Sequence, residues 1–191
     1  MDAAAGLFQH IGGGVMKLAG WIQTYTGKKF WPLDPRPEDV DIEDIAHALA
    51  MQCRFGGHCL RFYSNAEHSV LVSRNCGDDA LAGLLHDGSE AYLLDMLSPI
   101  KQFMPDYKAA EKRCQAAVYR AFGLPETTPP SVKRADRRAL RTERLQIMRD
   151  IGEPWVIDSE QPFDAELIGW APLHARGLFL QRYAELTRAA A

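Results

Sequence analysis

The chain has 191 residues, 47% hydrophobic and 25% charged, with a net charge of -3. That length gives one domain a real core without disulfide or metal staples, and the composition is that of an ordinary globular protein. The slight acidity excludes a global basic field for gripping a nucleic-acid polymer, but a local basic pocket for a small charged metabolite needs no basic protein. Cys53, Cys59, Cys76 and Cys114 show no CxxC spacing, which argues against a thiolate zinc site. With no secretory leader in the sequence they read as free thiols, so a cytoplasmic location is expected, that of the host if the protein is phage-encoded. No apolar run approaches the roughly 18–20 residues of a membrane span.

Residues 1–20 read as a flexible extension, with Met16 as a candidate alternative start, and 21–191 as a single domain. In WIQTYTGKKFWPL, residues 21–33, aromatic and β-branched residues flank a TG turn signal, which predicts a small hairpin or extended arm. Three closely spaced prolines, Pro32, Pro35 and Pro37, then break regular structure through LDPRPED. From Asp41 the pattern becomes helical, with an Asp cap and apolar residues at Ile42, Ile45, Ala46 and Leu49. A glycine-bearing loop, RFGGHCLRFY, leads to Ser64-Asn65-Ala66-Glu67, a capping box that opens a helix over 65–76. Asp78 is expected to cap a third helix ending at His86-Asp87-Gly88. Ser98-Pro99 reads as a break, and further helices are predicted near 106–122, 131–149 and 173–188. EPWVIDSEQPFD reads as loop with a short extended piece. The fold class expected is all-α: one helical bundle with a short N-terminal arm.

Three of these helices deliver imidazole or carboxylate to inward faces. His68 is in register with Leu71 and Val72. His86 and Asp87 are adjacent, so on a continuous helix they diverge by about 100°, and both reach one ion only near a helix end. Asp136 lies on the stripe Val132, Asp136, Leu140, Glu143, Ile147, opposite the basic stripe Lys133, Arg137, Arg141, Arg144. A carboxylate on an apolar face needs a partner. Taken singly, each residue has a plain structural reading: a hydrogen-bonded core histidine, a chance dipeptide, an aspartate paired with an arginine. The conjunction of two His and two Asp suits a divalent ion such as Mn, Co, Zn or Fe, and the residues do not choose among them.

The pattern H…HD…D, carried by Ala66-Glu67-His68-Ser69, Leu85-His86-Asp87-Gly88-Ser89-Glu90 and Lys133-Arg134-Ala135-Asp136, resembles the HD-superfamily phosphohydrolases. More narrowly it is similar to the small branch of 5′-deoxyribonucleotidases and phage-type dATP triphosphohydrolases, the run from Asp41 to Ser69 being closer to the phage type. No GYP motif follows the HD pair, which disfavours cyclic-dinucleotide hydrolysis. The resemblance covers roughly Ile42 to Met148. It implies a metal-dependent hydrolase of deoxynucleotides, cleaving a dATP-like triphosphate to deoxynucleoside and triphosphate, or alternatively a deoxynucleoside monophosphate. It implies a homo-oligomer, with His68, His86, Asp87 and Asp136 as metal ligands and Glu90 as the group that orients or deprotonates the attacking water. Arg54 matches a phosphate-binding arginine. Phe55, where a tryptophan often occurs in that branch, is expected to stack on the base, with Gly56 and Gly57 leaving room at its edge. Arg54 stands 14 residues before His68, one fewer than that branch leads one to expect. Asp95 and Lys101, in a D-x-x-x-P-x-K element, would meet sugar and phosphate. His58 is either a phosphate donor or an ordinary loop histidine, and His47 is expected to be packed in the core.

Overall fold

The computed structural model describes residues 20–188. The expected N-terminal extension, with His10 and Met16, lies outside the described residues except for Gly20. Eight α-helices and one two-stranded hairpin make up the regular structure of the described residues, apart from three short 3-10 turns. The hairpin pairs β1 (Ile22–Gln23) with β2 (Lys29–Phe30) antiparallel, Ile22 opposite Phe30. Its turn is closed by Thr24 N–H to Lys28 O, 3.0 Å. Phe30 is fully buried and stacks on Tyr92 at 3.7 Å, and in the turn Thr26 N–H donates to Asp44 Oδ1 at 2.7 Å, so the arm is tied to the domain at both its strand and its turn. The proline-rich stretch that follows holds a single 3-10 turn at Pro37–Asp39.

α1 (Ile42–Met51) begins where the sequence placed it: the Asp41 carboxylate accepts from Glu43 N–H at 2.9 Å. It lays Ile45, Ala46 and Leu49 against α8 (Pro172–Arg188), whose Ala175 and Phe179 are also fully buried. α2 (Asn65–Ser73) sits in the middle, touching α1, α3, α7 and α8. A helix enclosed on every side is normally apolar all round. In α2 the buried residues include Asn65, Glu67, His68, Ser69 and Ser73, and buried polar groups of this density point to a site.

The capping box is half realised. Ser64 Oγ accepts from Glu67 N–H at 3.1 Å. The Glu67 carboxylate does not turn back to Ser64 but accepts from the N–H groups of Ile168, Gly169 and Trp170 at 3.0, 3.1 and 2.6 Å, which pins the long 148–171 connection before α8. Segment 151–164 holds turns and no strand, correcting the short extended piece expected there. Its side chains are spent on α7 (Pro130–Ile147): Asp158 accepts from Arg141 and Arg144, and Glu160 pairs with Arg137.

The third predicted helix, expected to run from Asp78 to His86-Asp87-Gly88, is shorter than that. After a 3-10 turn at Gly77–Asp79, α3 (Ala80–Leu84) stops, residues 85–89 form turns, and α4 (Glu90–Leu93) starts afresh. Asp78 does not cap it. The residue before α3 is Asp79, whose carboxylate instead accepts from Ser131 Oγ. Gly88 sits inside the break, where an added Cβ would lie 2.8 Å from Val118 Cγ1 and 3.0 Å from Leu85 O. Only glycine lets the chain pass so close to α6 (Pro105–Ala121). Ser98-Pro99 is also not a break but the first turn of α5 (Ser98–Lys101), since proline in a helix's first turn removes no intrahelical hydrogen bond.

Candidate metal centre

α2, the turn after α3, and α7 each bring one donor to a common point. His68 Nε2, His86 Nε2 and an Asp136 carboxylate oxygen lie within 4.8 Å of one another, an arrangement that could hold a metal ion. His68 Nε2 is 3.2 Å from Asp136 Oδ1 and 3.3 Å from His86 Nε2. Asp87 borders this trio, its Oδ2 3.2 Å from His86 Nε2 and 3.7 Å from His68 Nε2. The interruption between α3 and α4 is what allows adjacent His86 and Asp87 to face one point, as a continuous helix would not.

The second nitrogen of each imidazole is fixed. His86 Nδ1 lies 2.9 Å from Gly83 O, and a carbonyl can only accept, so the proton is on Nδ1. His68 Nδ1 lies 2.5 Å from Glu143 Oε1. Burial works to raise the Glu143 carboxyl, but the nearby Arg54 and His68 charges outweigh it and hold the group ionised, so His68 Nδ1 also donates. Both Nε2 lone pairs therefore converge on two carboxylates, four acceptors with no donor among them. Only cations can satisfy that: a metal ion, or protons in its place. Correspondingly, burial and Arg54 push the His68 pKa down, yet Glu143 and Asp136 outweigh them and lift it to about 9. His86 is raised by Asp87 and Asp136 against the effect of burial. Asp136 is held well below the carboxylate range because the nearby His68 and His86 imidazoles overcome the effect of burial. An imidazole donating Nδ1–H to a carboxylate or carbonyl while presenting Nε2 is the arrangement that orients and strengthens a metal ligand. The donor set fits a borderline divalent ion.

Glu143 is the functional residue that sequence reasoning passed over. It appears there only as a member of the stripe, although the argument that singled out Asp136, a carboxylate on an apolar face, applies equally two turns later. Glu143 is fully buried and also accepts from Arg54 Nε at 3.1 Å. Arg54 thus reaches the site, as expected, from the 3-10 turn Arg54–Gly57, but its fork is already engaged: Nε on Glu143 and Nη1 3.8 Å from Asp87 Oδ2. Phe55 adopts left-handed backbone (φ 56), with Gly56 and Gly57 also at positive φ. This tight turn brings Cys53 Sγ and Cys59 Sγ to 3.4 Å as free thiols. Phe55 is half-buried against Tyr63, Ile147 and Leu167, tilted against Trp155 at 6.2 Å, so much of its face is used in packing.

Glu90, first residue of α4, is buried. Burial, with Asp87 and Asp95 nearby, pushes its carboxyl well above the ordinary range, against Arg54 and Lys101. Asn65 Nδ2 donates to Glu90 Oε2 at 2.9 Å. Gln52 spans the arch beyond it, donating to Glu90 O at 3.0 Å and accepting from Asp95 N–H at 3.2 Å. Neither Gln52 nor Asn65 carries a signal in sequence beyond its polarity. Lys101 Nζ lies 4.0 Å from Glu90 Oε1 but donates to Glu111 Oε1 at 2.5 Å, so it stands near the site as a paired charge. Asp95 is half-buried, while His58 is exposed on the loop next to Gly56. His47 is half-buried and stacks on Tyr25 at 3.8 Å rather than lying deep in the core, and His174 packs edge-on to Trp170.

Fold and site together define a helical domain with a His–His–Asp group that could hold a divalent ion. Among the described residues no helix is long and apolar enough to cross a membrane. No protein-family model matches the sequence. Over 170 residues the chain is 38% identical to the uncharacterized protein YfdR of Escherichia coli (strain K12), a match spanning 87% of this chain and 96% of YfdR. Over 130 residues it is 41% identical to the uncharacterized protein RCAP_rcc00048 of Rhodobacter capsulatus, covering 62% of this chain and 66% of that protein. The chain belongs to the same family as YfdR.

Proposed function

We propose that the protein is a metal-dependent phosphohydrolase that attacks the α-phosphorus of a deoxynucleotide, best a dATP-like triphosphate, releasing deoxynucleoside and intact triphosphate. The observation that carries the reading is the convergence of two tautomer-fixed imidazoles with Asp136 and Asp87 at one point, with an ionisable Glu90 and a cationic Arg54 on its border. A divalent ion held by His68, His86, Asp87 and Asp136 would supply a water of lowered pKa and offset phosphoryl charge. Glu90, held by Asn65 at 2.9 Å, takes the proton of the attacking water. Burial, with Asp87 and Asp95 nearby, raises its pKa, the direction that makes a carboxylate a stronger base. Arg54, whose Nε is held by Glu143 and whose Nη1 is 3.8 Å from Asp87 Oδ2, would turn its terminal N–H groups to a phosphate oxygen. Asp95, Lys101, Phe55 and His58 would contact the substrate, and the working form would be a cytoplasmic homo-oligomer.

A second reading, a 5′-deoxyribonucleotidase acting on monophosphates, is favoured by one specific observation: Arg54 and Lys101 are both already paired, with Glu143 and Glu111. That leaves fewer unspent cations than a triphosphate chain would use. The two readings separate by product. The protein is incubated with Mn²⁺ or Co²⁺ and each deoxynucleoside mono- or triphosphate, and the products are resolved by chromatography. Deoxyadenosine plus triphosphate from dATP supports the first reading, and cleavage of dAMP with inert dATP supports the second. No turnover of any of them leaves a nucleotide-binding module.

A further inference from the structure

From Glu143 we infer a coupling device: this buried carboxylate is a shared positioning residue that ties the metal ligand His68 to Arg54, so that Arg54 sets the cation affinity of a site it does not ligate. The geometry is direct. One oxygen of Glu143 accepts from His68 Nδ1 at 2.5 Å, and the other accepts from Arg54 Nε at 3.1 Å. Glu143 and His68 are fully buried, so neither contact is shared with solvent and the carboxylate's charge is divided between two partners. Arg54 arrives from the 54–57 turn and His68 from α2, while Glu143 is on α7 two turns beyond Asp136. Arg54 Nη1 also lies 3.8 Å from Asp87 Oδ2, a longer contact between the turn and the ligand cluster.

Two opposing effects follow from elementary electrostatics. Glu143 draws the Nδ1 proton of His68 and so makes Nε2 a better donor to a cation. Arg54 withdraws part of that negative charge and also places a positive charge beside the site, which weakens cation binding. Removing either residue therefore moves cation affinity, and in opposite directions. A purely structural buried ion pair behaves differently: loss of either partner leaves an uncompensated charge and loosens the site both ways. The inference rests on the cation site and not on the phosphohydrolase reading.

The test is Mn²⁺ affinity of the full chain without nucleotide, measured by competition with a chelating dye, for the parent, Glu143→Gln, Arg54→Gln and the double variant. Thermal unfolding without metal is followed alongside. Glu143→Gln should bind Mn²⁺ roughly 10–100-fold more weakly. Arg54→Gln should bind it more tightly, by roughly tenfold. In the double variant the gain from losing Arg54 should shrink, because the carboxylate it was masking is gone. Affinity falling in both single variants, or unchanged in either, overturns the inference. If Glu143→Gln does not fold, Arg54→Gln decides alone, since weaker or equal binding there is incompatible with the device. A protein that shows the opposed shifts yet cleaves no nucleotide would retain this coupling and lose the proposed function.

Discussion

On the proposed function, replacing Glu90 with glutamine should separate a catalytic role from metal binding. The side chain is buried, and its Oε2 accepts from Asn65 Nδ2 at 2.9 Å. Glutamine keeps the shape and an acceptor oxygen for Asn65, and loses only the capacity to take a proton. Glu90 is not among the three donors gathered within 4.8 Å, so metal content should be unchanged. Turnover should fall by roughly two to four orders of magnitude, the span of a lost general base, which is about 3–5 kcal/mol of barrier. Thermal stability should hold or rise, because the parent's carboxyl is disfavoured by burial and by Asp87 and Asp95. Steady-state product release, metal analysis and thermal unfolding on one preparation test all three. Near-parent turnover would make Glu90 scaffold, and loss of metal would make it a ligand; either refutes the reasoning.

Three further outcomes follow from other parts of the molecule. His68→Ala, Asp87→Ala and Asp136→Ala should each lose bound metal and activity together, and stoichiometric metal in the Asp136 variant would remove that residue from the site. Gly169 has φ +75, and an added Cβ would lie 2.5 Å from Phe62 O. Gly169→Ala should therefore cost at least about 2 kcal/mol, from left-handed backbone strain of about 1–2 kcal/mol plus the clash. Melting should drop by about 4–8 °C for a chain of this size, and an unchanged melting point would contradict the placement of that turn. Asp41 is partly desolvated, which raises its pKa, but the bonds from Glu43 N–H and Lys28 outweigh this and lower it. Its ionised form thus stabilises the fold above about pH 4, and the contribution fades as pH falls through the lowered folded value. Asp41→Asn keeps a capping oxygen, so its melting point should lie below the parent's at neutral pH and converge with it in acid. Parallel curves would exclude Asp41 from the acid response.

Much of the fold is legible because local signals agree with one another. Asp41 and Ser64 carry real caps, and α1, α6, α7 and α8 begin or end within a few residues of the periodicity. The residues that could hold a metal are legible for a different reason, since polar residues in register with apolar ones must be paired or functional. What escaped is tertiary. The sequence predicts the end of the third helix at His86-Asp87-Gly88, but not that it stops already at Leu84 or that a new helix opens at Glu90, and the need for Gly88 in the break arises from Val118 far along the chain. Glu67 satisfies a capping motif while its carboxylate answers backbone donors a hundred residues away. The engagement of Arg54, Lys101 and Phe55 by Glu143, Glu111 and the Tyr63 cluster depends on neighbours that spacing along the chain does not reveal.

Hydrolysis in ¹⁸O-labelled water tests the central claim, water attack on the α-phosphorus with the 5′ oxygen leaving. With Mn²⁺ present and dATP and dAMP offered separately, we expect the label in the released triphosphate or phosphate and none in the deoxynucleoside. Label in the deoxynucleoside, release of dAMP and pyrophosphate from dATP, or no turnover of either substrate by a protein that binds Mn²⁺ stoichiometrically would contradict it.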